Sequence, residues 1–145
     1  MEIMGTTLAV AASALRAERQ RLDIIASNLA NANTTETAAG GPYKRRNVIF
    51  TARGIDSDFG DTLVALADKP QGVQVTDVIE DQTPPRQVFD PGHPDANAEG
   101  YVLYPNINPV TEMVDLQTAT RAYEANVQVV NATKKMAESA LAIGA

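Results

Sequence analysis

Cysteine is absent from this 145-residue chain, which removes thiol catalysis, disulfide cross-links and cysteine-ligated metal centres together. Tryptophan is absent as well, and aromatic residues amount to 5%, so little material is available to line a wide ligand pocket. Basic residues are outnumbered, 12 Lys and Arg against 18 Asp and Glu, for a net charge of −6. Phosphate neutralisation supplies most non-specific nucleic-acid affinity, so this balance argues against a nucleic-acid partner. Lys44-Arg45-Arg46 is the one basic cluster and reads as a solvated strand entrance. Met1-Glu2-Ile3-Met4-Gly5 carries no basic n-region, and the apolar stretch 8–12 is too short for an h-region. Neither an ordinary secretory signal nor direct membrane insertion is expected. Export, if it occurs, would have to read the mature chain.

The apolar residues, 44% of the chain, are mostly Ala, Val, Leu and Ile and fall into two periodic blocks. Over residues 6–33, Leu8, Leu15, Leu22 and Leu29 recur every seven positions. Met4, Ala11, Ile25 and Ala32 fill the companion row, which Glu18 breaks. This a/d seam predicts a helix of about 40 Å. Asn31, Asn33, Thr34 and Thr35 end it, because short polar side chains compete for helical backbone bonds. A second helix is expected from Asn108, a good N-cap, followed by Pro109 at the first helical position. Its seam reads Met113, Leu116, Thr120, Tyr123, Val127, Val130, Lys134, Ala137 and Leu141. A second stripe of Ala119, Ala122, Val129, Met136, Ala140 and Ile143 widens the apolar face beyond what one neighbouring helix covers. Tyr123 reads as plain core or as an interface anchor, and Lys134 as a side chain that snorkels outward.

Between the helices the grammar changes. Residues 47–51, 72–79, 87–89 and 101–104 read as four short strands, punctuated by Pro84-Pro85, Pro91-Gly92 and His93-Pro94. Residues 53–70 are rich in Gly and Asp, and 61–67 fit either a short helical turn or a loop. The four strands are expected to form one small sheet with a marginal core. The fold class is therefore α+β. Two long terminal helices, 1–35 and 108–145, pair as a coiled-coil-like hairpin and form one discontinuous domain, and 36–107 is a β-rich insert.

A helix hairpin hides one seam of each partner and leaves the second stripe of the C-terminal helix wet. Each Leu or Val buried contributes about 1.5–3 kcal/mol, so several left exposed favour association with neighbouring subunits. The expected assembly interface comprises Leu8, Leu15, Leu22, Ile25 and Leu29 with Met113, Leu116, Tyr123, Val127, Val130 and Leu141. In the free monomer, protease is expected to trim both ends and spare the insert.

Ala26-Ser27-Asn28-Leu29-Ala30-Asn31-Ala32-Asn33-Thr34-Thr35 resembles the N-terminal signature of flagellar rod, hook and hook-associated proteins. Residues 13–19 and 22–25 are similar to the opening of the flagellar basal-body rod family. The blocks 40–46, 88–96, 100–108, 112–115, 121–127 and 131–134 look like its proximal-rod branch. These matches are collinear and cover nearly the whole chain apart from 53–69. The resemblance implies export through the flagellar type III apparatus without a cleaved signal. It implies assembly in the cell envelope into the periplasmic rod of the flagellum basal body, the drive shaft that carries torque from rotor to hook. Terminal helices would form the inner tube, and the insert would lie outside. The partners it implies are other copies of the chain, the rod proteins FlgB, FlgF and FlgG, and the adaptor FliE. No cofactor, metal or catalytic residue is implied.

For the signature motif, Ala26, Ala30 and Ala32 let helices approach closely. Asn28, Asn31 and Asn33 suit either C-terminal capping or hydrogen bonds between subunits. Asp90, His93 and Asp95 are the one constellation that could serve a metal or hydrolase site, yet the intervening Pro and Gly mark a surface turn. A cytoplasmic coiled-coil chaperone or adaptor is the alternative of a different class, and another rod subunit is the nearer one.

Overall fold

The computed structural model describes residues 2–54 and 70–143, with side chains from 4 to 142. The order of elements is α1 (Glu2–Ala30), β1 (Arg46–Gly54), β2 (Gln71–Glu80), β3 (Arg86–Phe89), β4 (Tyr101–Tyr104) and α2 (Pro109–Ile143). This is an α+β chain with a helix at each end and β structure between them. The expectation for 61–67 lies outside the described residues.

The helix ends follow the local chemistry. At the close of α1, Asn31 Nδ2 donates to Ser27 O at 2.9 Å, and Thr34 Oγ1 donates to Asn31 Oδ1 at 3.1 Å. Ser27 O also accepts the Asn31 backbone amide at 3.0 Å, so the side chain doubles the last helical bond instead of continuing the helix. At the start of α2, Asn108 Oδ1 accepts the Val110 amide at 3.0 Å, the bond expected of an N-cap. The helices run antiparallel. Asn28 near the end of α1 meets Glu112 near the start of α2, while Thr6, Val10 and Ala11 share a groove with Asn126 and Val129.

Burial along α2 falls one residue away from the expected seam. Leu116, Tyr123, Val130 and Ala137 are half-buried as read from the sequence. Their companions, however, are Glu112, Ala119, Asn126 and Thr133, all buried or half-buried, whereas Met113, Thr120 and Lys134 are exposed. Polar residues can occupy the inner row because their polar atoms are already engaged. Thr133 Oγ1 donates to Val129 O at 2.9 Å and Asn126 Nδ2 to Ala122 O at 3.0 Å, both within the helix. On α1 the companion row is the inner one. Ala11, Ile25 and Ala32 are buried, whereas Leu15, Leu22 and Leu29 are half-buried and Leu8 is exposed. Glu18 turns towards Arg21, 3.8 Å away.

The insert is two separate two-stranded hairpins, not the one sheet expected. Residues 81–85 leave β2 through an Asp81 turn and Pro84-Pro85, where proline supplies no ladder donor. β1 and β2 pair antiparallel with a bulge at Thr76, which opposes the Ile49/Phe50 step. Their far end leans on α1. The Val73 amide donates to Ser13 Oγ at 3.0 Å, and that hydroxyl in turn donates to Val10 O at 2.7 Å. β3 and β4 pair from Arg86↔Tyr104 to Phe89↔Tyr101. Val102, Pro105 and Ile107 supply buried side chains at the base of this hairpin. Gly100 has φ of 83°, and a Cβ there would sit 2.9 Å from Phe89 Cε2 and 3.2 Å from Pro91 Cβ. Both backbone and space therefore require glycine.

Candidate functional site: the helix–insert junction and the apolar helix faces

The polar centre of the molecule is the place where α1, the entrance to β1 and α2 meet. Asn28 and Glu112, each about 1% exposed, are among the largest fully buried side chains. Asn28 uses its whole amide. Nδ2 donates to Arg46 O at 2.9 Å and to Glu112 Oε2 at 3.2 Å. Oδ1 accepts the Arg46 amide at 2.9 Å and the Tyr43 hydroxyl at 3.2 Å. Towards Arg46 the side chain thus behaves as a peptide group would, pairing with both N–H and C=O, and docks the first residue of β1 onto α1.

Glu112 is stabilised from two sides. Besides Asn28, it accepts Arg45 Nε at 2.6 Å. The same guanidinium reaches Asn47 Oδ1 at 2.6 Å and Asp115 Oδ2 at 3.5 Å. A carboxylate taken out of water is costly unless charge and hydrogen bonds compensate, and here both do. One buried group therefore binds α1, the insert and α2 together. Arg45 corrects the reading of 44–46 as a solvated entrance, because its charge is spent on an internal carboxylate. Arg46 is the outward one, 3.8 Å from Glu80 and 5.6 Å above the Tyr43 ring. Nothing in the motif itself announced Glu112. Its spacing, four before Leu116 and seven before Ala119, placed it on the inner row.

The signature residues divide by role. Ser27 Oγ lies 3.3 Å from the Tyr43 hydroxyl, Asn31 caps α1, and Ala32 is buried. Asn28 and Asn31 spend their amides inside the chain, while Ala30 and Asn33 face outward. Leu29 and Thr34 are half-buried. Among the expected interface residues, Ile25 is buried and Leu15, Leu22, Leu116, Tyr123, Val127 and Val130 are half-buried. Leu8, Met113 and Leu141 are exposed, the last two at 55% and 65%. With Val110, Val114, Val129 and Met136 they leave α2 with apolar surface that α1 does not cover.

Asp90, His93 and Asp95 do not converge as ligands. Asp90 Oδ1 accepts the Gly92 amide at 3.2 Å and so builds the turn, and His93 Nδ1 accepts the Asp95 amide at 3.1 Å. Among the described residues no group of three or more His, Cys, Asp or Glu side chains is placed to hold a metal, and no helix is long and apolar enough to cross a membrane.

Sequence comparison bears on the same elements. The family model described as "Flagella basal body rod protein" matches residues 8–36, and that described as "Flagellar basal body rod FlgEFG protein C-terminal" matches residues 98–143. Over nearly its whole length the chain is similar to proteins named flagellar basal-body rod protein FlgC. Identity is 44% to that of Bacillus subtilis (strain 168), covering 95% of this chain and 96% of the relative. It is 42% to that of Borreliella burgdorferi, covering 95% of each, and 42% to that of Escherichia coli O6:H1, covering 93% of each. The chain belongs to the FlgC family of flagellar basal-body rod proteins. The two family models fall on α1 and on β4 with α2, the segments that Asn28 and Glu112 hold together. FlgC proteins are structural subunits of the flagellar basal body, not an enzyme family, and the end-to-end match favours this branch over other rod subunits.

Proposed function

We propose that this FlgC-family chain is a proximal-rod subunit that polymerises through its terminal helices and carries torque from rotor to hook. The observation that carries the reading is the uncovered apolar surface of α2, where Met113 is 55%, Met136 58% and Leu141 65% exposed. Apolar area of that kind is removed from water by association, and each side chain covered contributes on the order of 1.5–3 kcal/mol. Residues 1–35 and 108–145 act as one discontinuous inner-tube domain of coiled-coil type, and 36–107 as the outer insert.

The junction suits a mechanical part. Force applied to the insert reaches both helices through Arg45, Glu112 and Asn28, with no long flexible linker at that point. Chain folded around such a centre cannot pass a narrow channel, so the subunit travels unfolded through the flagellar type III apparatus and closes the junction on arrival in the periplasmic part of the envelope. The partners are other copies of itself, FlgB, FlgF and FlgG, and the adaptor FliE. Before assembly the uncovered helix ends are the parts most open to protease.

Deletion and fractionation test the reading. Purified basal bodies are expected to contain the chain, and cells lacking it to form neither hook nor filament. A chain that stays in the cytoplasm as a discrete oligomer, in cells that still build filaments, would overturn the rod reading in favour of a chaperone or adaptor.

A further inference from the structure

Two segments 60 residues apart meet at Thr35 and Asp95. Thr35 follows the end of α1, and Asp95 sits in the turn between β3 and β4. Thr35 Oγ1 donates to Asp95 Oδ2 at 2.7 Å, a side-chain bond from the helix exit to the second hairpin. Beside it stands His93, the only histidine of the chain, half-buried with its ring edge-on to Tyr104 at 6.2 Å between centroids. His93 Nδ1 accepts the Asp95 amide at 3.1 Å, which requires Nδ1 to carry no proton. The same nitrogen lies 3.8 Å from Asp95 Oδ2, the oxygen that Thr35 already holds.

We propose that His93 and Asp95 form a proton-operated latch on Thr35. A proton taken from solvent onto Nδ1 turns an acceptor into a donor. The bond from the Asp95 amide is lost, and a positive N–H faces Asp95 Oδ2. Such a charge-assisted bond closes to about 2.7–2.9 Å. Closing the 3.8 Å gap draws the carboxylate towards the imidazole by most of an ångström, and the imidazolium then competes with Thr35 for the same oxygen. The neutral state ties Thr35 to the β3–β4 turn, and the protonated state frees Thr35 while the buried base of the hairpin stays in place.

Charged or titratable groups reach the surroundings of His93 from its own turn and from both strands. Asp95 and Asp90 lie on its own turn, the Asp90 carboxylate being bonded to the Gly92 amide. The Tyr104 ring comes from β4, and over that ring, 5.9 Å from its centroid, lies the Arg86 guanidinium of β3. Histidine is the side chain that ordinarily changes charge between about pH 5 and 8.

Amide and ring NMR of the full-length chain across that range tests the proposal. The Thr35 and Asp95 amide resonances are expected to move with one shared midpoint, the midpoint followed by the His93 ring protons. His93→Gln should flatten both curves. Asp95→Asn, which keeps an acceptor for Thr35 but no charge, should leave His93 titrating and Thr35 flat. A His93 ring that titrates while Thr35 stays still overturns the latch. So does a Thr35 curve that persists in either variant, or a ring that remains neutral down to about pH 5.

Discussion

Asn28 Nδ2 stands 3.2 Å from Glu112 Oε2, a buried bond between residues 84 positions apart that joins the end of the first helix to the start of the second. Arg45, at 2.6 Å from the other oxygen of that carboxylate, brings in the insert. Helix pairing and insert docking are therefore one event, and the predictions below begin there.

Asn28→Ala deprives the Arg46 amide and the Glu112 carboxylate of a partner in a dry site. A buried polar group left unmet costs about 1–3 kcal/mol, and because Glu112 keeps Arg45 as a partner the total loss expected in urea denaturation is about 2–4 kcal/mol, below the full sum for two groups. Glu80→Ala serves as the control. Its partner Arg46 and Glu80 itself are nearly half exposed, and such pairs contribute about 0–1 kcal/mol. Equal losses in the two variants would mean that the junction does not hold the fold.

Gly100→Ala meets two obstacles, a left-handed backbone and the Phe89 ring at 2.9 Å from the new methyl. A non-glycine residue held in such a conformation costs about 1–3 kcal/mol, before any shift of Phe89 is counted. Denaturation midpoints should fall accordingly, with the change in amide shifts confined to residues around the β3–β4 hairpin. A variant as stable as the parent would contradict this geometry.

Met136→Glu and Leu141→Glu separate assembly from folding. Both side chains are more than half exposed on α2, so the isolated chain should keep its stability to within about 0.5 kcal/mol. Complementation of a deletion strain with either variant should leave cells non-motile if this face is covered in the rod. Normal swimming would remove these two residues from the assembly surface. A monomer that unfolds would instead assign them to its own core.

Asp81 gives a pH dependence of known sign. The Thr83 hydroxyl donates to its Oδ1 at 2.5 Å and the Thr83 amide at 2.9 Å, and these two bonds, the hydroxyl's first, hold the carboxyl below its ordinary value of 3.8. Arg45 adds a smaller pull in the same direction. A carboxyl whose value is depressed in the folded state stabilises the fold above its ordinary value and loses that contribution as pH falls through the depressed one. Thr83→Ala should therefore raise the Asp81 midpoint towards the ordinary value in a carboxyl NMR titration. An unchanged midpoint would leave the hydroxyl without effect.

Much of this was legible in one dimension. The first helix, read over 6–33 and found over Glu2–Ala30, the Asn108 cap and all four strands follow from local propensities and turn residues. The seam on α2 was legible only in part, since periodicity counts apolar letters. Met113 and Thr120 continue a pattern on paper, yet Glu112 and Thr133 lie inside, because a hydroxyl bonded to its own helix or a carboxylate met by arginine no longer needs water. The expectation of one sheet failed for a similar reason, since strand propensity does not specify which strands pair.

By itself, then, the sequence determined the order of elements, the helix–insert–helix plan and the rod-family membership. All of these rest on neighbours in the chain or on collinear motifs. Tertiary structure alone decided the inner row of α2, the division of the insert into two hairpins and the meeting of Asn28, Arg45 and Glu112. These depend on which distant donor reaches which buried acceptor, and a polar side chain is written identically whether water or arginine satisfies it.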